Sequence, residues 1–533
     1  MKTLHLPLIL LLLAAAKTAR AEEPYFVDET ALTPEDTETR PRPPAPTLDA
    51  FVYWRPQQKH YLRAALELET ILIVGNVDYL LNTTARGGTL RPGDQRWDLR
   101  YDWPTFRDKL TGEDWKLDTN RFDTNYISHP FAGTLYYTAA RSNRLSAFES
   151  FGYTVVGALG WEMFGELREE VSINDVVVTS SAGLAIGEAM TQLSAFFFRS
   201  RKNFRNDFLG TVFSPLKALN DSADGAAPVR SEHLDARGFT ADEWHAFAAF
   251  GGTGLTRQSN RTFFDQRFGL ELGVKNLPGY DGPERRTETF DDGNAARFGF
   301  ATTFSEGRLA DSTFHASAMP AGIYWRSGER DELGRVRGDG AIVGWATSFE
   351  YAVHDYDRQS HRPRDTMAIL SPLGVAAEYS HQGGSLDLHS RAGIAGTFAG
   401  VRALAFDDYR AAHRGDETNL QTVLRQNHYY HALGVALFVS LELGYELLDA
   451  GGRVALDTFR GIEGFDEQQV TIAREVPLSD YRIDARGWFG ARIPSLGLRF
   501  ELAGVKRTRA GHIGEVASRR SDASVEATVQ MLF

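Results

Sequence analysis

Polar side chains recur in this chain where helical periodicity calls for apolar ones. Asn125, His129 and Pro130 lead into a helical stretch over 131–142, and Gly133, Tyr137 and Arg141 follow His129 at steps of four, on one stripe. Glu162 and Glu166 stand one turn apart on the next helical stretch, 147–167, behind Trp161. Ser172 or Asp175 opens a third, 176–198, and Glu188 lies inside it. An imidazole near two carboxylates supports three chemistries. His129 as general base, oriented by Glu162 or Glu166, with Ser172 or water as nucleophile, would make a hydrolase. The same imidazole and carboxylates could instead hold a divalent metal. The third reading is a buried polar network, with Arg141 paired to Glu162, Glu166 or Glu188, and with Asn125, Tyr137 and Asp175 as further members. A buried charge left alone is costly, so pairing is close to forced in every reading. No G-x-S-x-G elbow, H-E-x-x-H or P-loop occurs, and no motif asks for a cofactor.

The same region carries a family resemblance. Its residues are Trp115 to Asp118, Asn125-x-x-x-His129-Pro130-x-x-Gly133, Tyr136-Tyr137-x-x-Ala140-Arg141-Ser142, Trp161-Glu162-x-x-x-Glu166, Ser172-x-Asn174-Asp175 and Gly183-x-x-x-Gly187-Glu188. In that order and spacing they resemble the bacterial envelope family known as "domain of unknown function 3943", over about residues 60–220. Two departures are Phe213-Ser214-Pro215-Leu216, in place of an asparagine-proline-type turn, and the missing proline after Gly165. Neither touches the His or Glu positions. The resemblance implies an envelope location and brings no activity with it.

These residues need helices to position them. A helical pattern over 60–81 precedes the three stretches above, residues 83–125 read as loops and short turns, and 203–225 reads as a linker. Gly183-x-x-x-Gly187 would let another helix approach closely.

After about Glu243 the apolar period changes from 3.6 to 2. Val525, Ala527, Val529, Met531 and Phe533 share one face, and Ser524, Glu526, Thr528 and Gln530 share the other. Leu433 to Leu447 alternates in the same way. The second face carries charges and small residues, as a wet lumen would, and several runs reach ten residues or more. Candidate strands lie near 243–252, 262–275, 295–304, 311–325, 339–354, 370–380, 385–399, 428–447, 452–460, 479–490, 495–506 and 522–533. Polar insertions at 276–294, 326–338, 355–369, 403–427 and 461–478 are candidate extracellular loops. The chain ends on Phe533 after alternating apolar positions, an ending that resembles the C-terminal signal read by the barrel-assembly machinery.

Composition narrows the class. The chain has no cysteine, which excludes disulfides, thiolate metal sites and cysteine nucleophiles. A net charge of -12 argues against nucleic acid. A mean hydropathy of -0.32 suits a barrel, whose strands alternate. Lys2, the apolar run Leu4–Ala16 and Ala19-Arg20-Ala21 read as a secretory signal over 1–21. Residues 22–57, with Arg40-Pro41-Arg42-Pro43-Pro44, read as an acidic, proline-rich tether.

The expected architecture is α+β. A helical domain at 58–225 precedes an antiparallel transmembrane β-barrel of about 12 strands at 240–533, seated in the outer membrane among its lipids. A helix is about 10–12 Å wide, and a lumen of that size holds one at most. The helices should therefore form a separate periplasmic bundle that plugs, gates or scaffolds the barrel. The expected role is structural, pore-forming or transport-related. The alternative is an outer-membrane lipid or acyl hydrolase built on His129, Glu162 and Glu166.

Overall fold

A computed structural model describes residues 58–85, 103–113, 115–166, 170–277, 280, 283, 285–330, 336–358, 364–466 and 475–533. The expected secretory signal and tether lie outside them. The helices that precede the barrel are α1 (Tyr61–Ala85), α2 (Trp103–Thr111), α3 (His129–Ser142), α4 (Ala147–Gly160), α5 (Ile173–Arg199), α6 (Phe204–Phe213) and α7 (Pro215–Ala223), and two short ones, α8 (Phe406–Ala412) and α9 (Thr422–Asn427), lie in the connection 403–428. A π-type turn, Thr124–Ser128, leads into α3, and another, Trp161–Gly165, extends α4. Caps mark the starts. Ser146 and Glu149 form a reciprocal capping box on α4, the Ser172 hydroxyl accepts from the Asp175 amide on α5, and Asn203 accepts from the Asn206 amide on α6. Two expectations are corrected here. The segment read as a linker is helical, because Asn203 caps α6 and Pro215 occupies the first turn of α7, where its missing N–H does no harm. The segment read as loops contains α2 and a short strand β1 (Trp115–Lys116), which pairs in parallel with β2 (Val171–Ser172).

Twelve antiparallel strands close into a barrel. They are β3 (Trp244–Gln258), β4 (Arg261–Lys275), β6 (Ala295–Ser305), β7 (Arg308–Arg330), β8 (Val336–His354), β9 (Asp365–Gln382), β10 (Leu386–Arg402), β11 (Tyr429–Tyr445), β12 (Leu448–Gly461), β13 (Leu478–Ile493), β14 (Leu498–Ile513) and β15 (Val516–Leu532). β15 pairs with β3, and β7 pairs with β8, which completes the ring. A further short strand, β5 (Arg286–Phe290), adds to the overhanging end of β7 and has no counterpart among the expected strands. Every expected strand is present, and most run longer than their apolar core. The end where β3 begins and β15 finishes is called the terminal end. The connections 355–364, 403–428 and 462–477 open on the opposite, loop end. Residues 326–330 and 336–338 are strand, the terminal-end arms of β7 and β8, and the connection 276–294 also lies at that end.

The strand period separates two faces. Charged residues on one face join strands that are not neighbours: Arg482 on β13 meets Glu350 on β8 at 2.6 Å, His354 on β8 meets Asp522 on β15 at 2.7 Å, Arg509 on β14 meets Asp365 on β9 at 3.2 Å, and Lys275 on β4 meets Glu378 on β9 at 2.8 Å. Only an inward face permits such pairs. The other face carries Leu433, Val435, Leu437, Val439, Leu441 and Leu443 on β11 alone, all exposed. That run climbs about 34 Å along the strand, roughly 26 Å at a tilt of about 40°, close to the height of a membrane barrel's apolar band.

The helices pack on this outer face. One row of register partners crosses the wall at right angles to the strands: Phe247, Leu272, Phe298, Ala316, Phe349, Leu370 and Phe398 on β3, β4, β6, β7, β8, β9 and β10. All share parity with the exposed belt, yet they join one core with Val178, Ala182, Ala185, Ala189, Leu193, Phe196 and Phe197 of α5. From β3 to β10 the wall spans about 29 Å at roughly 4.8 Å per strand. A helix of 27 residues is about 40 Å long, so α5 covers the row end to end. This replaces the expected separate bundle below the barrel. The apolar residues of α5 have partners on the outer wall, while paired charges lie on the inward face. At the terminal end Phe196 and Phe197 sit on Phe247. At the loop end Asn427 donates to the Thr119 carbonyl at 2.8 Å, and the Leu117 amide donates to the Phe465 carbonyl at 2.8 Å.

Candidate functional site

Two buried polar clusters form between α3, α5 and the barrel. The first lies at the start of α5. Asn174 Nδ2 donates to both Asp118 Oδ1 and Asp175 Oδ1, at 2.9 Å each, and so joins the two carboxylates. Asn125 Nδ2 also donates to Asp118. His129 Nε2 lies 3.3 Å from Asp175 Oδ2, and its Nδ1 lies 3.3 Å from the Thr179 hydroxyl. The barrel closes the far side: the Tyr429 hydroxyl donates to the Asn120 carbonyl at 2.7 Å, and the Tyr126 hydroxyl shares a 2.8 Å bond with His431 Nδ1. Burial sets the protonation. It raises Asp118, and it raises Asp175 further with help from the nearby Asp118 charge. Burial also pulls His129 down to about 4. Each of these shifts favours the uncharged form of its group. Thr179 is 3% exposed, and its backbone carbonyl is pressed against Gly133 at the α3–α5 crossing, so its hydroxyl has no open approach.

Residues 114–216 match the model of the family described as Domain of unknown function (DUF3943). The match covers the residues that carried the resemblance and both helices of this crossing. A comparison with curated proteins finds no match. Among solved structures, the chain is similar to the beta domain of the Bordetella autotransporter BrkA, at 11% identity over 54% of this chain and 99% of that one, with a TM-score of 0.23. It is also similar to the translocator domain of the autotransporter NalP from Neisseria meningitidis, at 12% identity over 60% and 94%, with a TM-score of 0.19. A third similarity is to OccK8 (OprE) from Pseudomonas aeruginosa, at 9% identity over 55% and 98%, with a TM-score of 0.15. At such scores the barrel stands on its own strand pairing.

The second cluster of the DUF3943 segment centres on Arg141, which is 2% exposed. Its guanidinium meets Glu188 at 3.0 and 3.1 Å, Asp292 Oδ1 at 2.8 Å and the Leu145 carbonyl at 2.8 Å. The Tyr137 hydroxyl donates to Glu188 at 2.6 Å, and Gln192 donates to Glu188 and to the Asp292 carbonyl. Asp292 belongs to the terminal-end connection between β4 and β6, so this cluster rivets the helix pair to the barrel. The approach is close: Gly293 has φ +73°, and a Cβ there would strike the Glu188 carboxylate.

The proposed catalytic residues do not converge on one reacting centre. The Glu162 carboxylate accepts from the Ser172 backbone amide at 2.9 Å, and Glu166 accepts from the Trp161 indole at 2.9 Å. The Ser172 hydroxyl caps α5. His129 is turned to Asp175 and Thr179. His129, Glu162 and Glu166 are therefore not gathered as the hydrolase and metal readings had them, and among the described residues no three His, Asp or Glu side chains form a metal-holding group. The two carboxylates are drawn to separate donors, Glu162 to the Ser172 amide at the head of α5 and Glu166 to the Trp161 indole at the end of α4. Lys109, fully buried, donates there to the Glu162 and Glu166 carbonyls.

Sequence reasoning singled out neither Lys109, Thr179 and Asp292 nor Tyr429 and His431. Asp118 and Asn174 lay inside the quoted motifs without being assigned a part. Asp292 and the two β11 residues are 100 or more positions from their partners, and no local pattern marks them.

Proposed function

We propose that this chain is an integral outer-membrane protein whose barrel is a sealed, non-conducting anchor. On this reading the helical domain, held on the outer wall, is its working scaffold. The observation that supports it most is the lumen itself. Ion pairs bridge opposing walls at the terminal end (Lys275–Glu378), midway (Arg482–Glu350) and at the loop end (His354–Asp522, Arg509–Asp365). Residues after β8 add to the closure: Arg358 donates to Asp265 at 2.6 Å, and the Asp355 carbonyl accepts from Gln258. Each pair satisfies charges that would otherwise be desolvated alone. The test is planar-bilayer recording of the purified protein. Silence is expected from the native chain. Steady, ohmic single channels from it would reject the reading in favour of a pore.

Hydrolysis is the second reading, supported by the His129–Asp175 pair beside a hydroxyl. Acyl release from phospholipid or lipopolysaccharide that disappears in His129→Ala with the fold intact would establish it. The buried Thr179 and the capping bonds of Glu162 and Ser172 lead us to expect none. For the C-terminal strand we propose recognition by barrel-assembly machinery. The Phe533 amide donates to the Phe247 carbonyl at 3.0 Å, so the last residue takes part in closing the barrel.

A further inference from the structure

We propose that α4 lies in the hydrocarbon layer beside the barrel, with lipid acyl chains against its outward face. The inference rests on the barrel being seated in lipid, and four observations carry it. The first is the outward face itself: Phe148, Gly152, Val155, Val156, Leu159 and Met163 fall on one stripe about 100° wide without a charge among them. Val156 is 65% exposed, and Phe164, just beyond, is 62% exposed. A stripe this long facing water would be a standing liability.

The second is where the polar groups sit. At the start Glu149 closes the capping box and takes Lys59 at 2.8 Å. At the finish stand Glu162, Glu166 and Lys109. Between them the outward face is bare.

The third is span. The Ala147 amide donates to Asp292 Oδ1 at 3.1 Å, which ties the start to the terminal-end connection. The finish reaches Ser172 at the head of α5, beside the segment 115–122 that bonds the loop-end connections. Residues 147–165 make about 28 Å of helix, close to the height of the belt on β11.

The fourth is continuity. The Phe148 ring stacks on Trp345 of the outer wall, with centroids 5.5 Å apart. The register partner of Trp345 is Val375, 55% exposed in the belt. The α4 stripe and the barrel belt are one apolar surface.

No described helix is long and apolar enough to cross a membrane alone. α4 does not stand alone, because its other sides pack on α3 and α5, and a helix satisfies its own backbone in lipid.

The chain has no cysteine, so single labels are clean. Val156→Cys, and separately Gly152→Cys, would carry a nitroxide in the full protein reconstituted in phosphatidylcholine vesicles. Leu441→Cys in the belt and Asp416→Cys in the exposed 403–428 connection serve as references. Collision with oxygen and with a water-soluble nickel chelate is read by power saturation. The expected result is an oxygen-to-nickel accessibility ratio at 152 and 156 several-fold above that at 416 and close to that at 441. Nickel access at both positions with 441 still lipidic would overturn the proposal and leave the barrel in its membrane. Nickel access at 441 as well would overturn the membrane seating too. Shielding from both reagents would mean that protein covers the face, a second copy included, and would also overturn it. Matching circular dichroism of the labelled and unlabelled proteins confirms that each variant is folded.

Discussion

Replacing Arg141 with Met probes the rivet between helices and barrel. The side chain is 2% exposed and Glu188 is fully buried, so the substitution leaves a carboxylate among apolar walls with only Tyr137 and Gln192 as donors. Breaking a buried pair from one side costs about 3–5 kcal/mol. The two remaining donors place this case at the low end, about 3 kcal/mol, a factor on the order of 10² in a local opening equilibrium. The loss should be confined to α3 and α5, since Asp292 reaches only the connection between β4 and β6. Native-state hydrogen exchange in lipid nanodiscs reads this directly. Amides of α3 and α5 should exchange about 10²-fold faster, with β13 and β14 unchanged. Arg141→Met combined with Glu188→Gln removes both charges and should exchange more slowly than Arg141→Met alone. An effect below about 1 kcal/mol, or a double variant that costs the sum of the singles, would refute the idea that desolvation of Glu188 sets the magnitude.

The glycines give opposite signs on neighbouring helices. A Cβ at Gly133 would run into the Thr179 carbonyl, so Gly133→Ala should destabilise the α3–α5 crossing by about 1–3 kcal/mol, whereas Gly152 has open space around it and Gly152→Ala should stabilise α4 by about 0.5–1 kcal/mol, both read by denaturant midpoint. Gly293→Ala combines a positive φ with the Glu188 clash and should match Arg141→Met in the exchange pattern of α3 and α5. At the other edge of the helical layer, Arg63 donates to Asp224 at 2.6 and 3.0 Å and holds that carboxyl below its ordinary range, so the stabilisation is full above about pH 4 and is lost as pH falls through the lowered value. Asp224→Asn at neutral pH should loosen α1 in the same way, by about 1 kcal/mol, and α1 exchange that ignores both acid and the substitution would show the contact to be idle.

How much of this was legible from the residues differs by element. The strands were, because a wall that is apolar on one side and charged on the other forces period 2 onto Leu433–Tyr445 and Val525–Phe533, whatever else the chain does. The candidates at 311–325 and 452–460 are β7 and β12. The short β5 escaped, being a five-residue edge piece without a buried stripe. α6 and α7 were hidden by the turn residues that begin them, since Asn203 and Pro215 signal a break and a helix start equally well. At the site, types and spacing showed that charge must be buried on α3 and α5, and Tyr137, Arg141 and Glu188 do meet there. They did not show which partner each charge takes, because Asp292, Tyr429 and His431 are brought in only by the closed barrel.

The position of the helices shows where periodicity stops being informative. Parity assigns Phe247, Leu272, Phe349, Leu370 and Phe398 to the apolar face of the wall, but lipid and an apolar helix ask the same thing of that face. What separates the two is a row in register, not a pattern along any one strand. Residues that are partners across seven strands are scattered over some 150 positions, so only the folded sheet lines them up. The helix that meets the row is apolar toward the wall and polar toward α3, which is why α5 looks mixed as a sequence yet is buried along almost its whole length. On the barrel's inward face, pairing keeps charges from being desolvated alone, and at the loop end Phe406, Tyr409 and Leu424 of the 403–428 connection pack on Ile369, Val401 and Phe459 of that face.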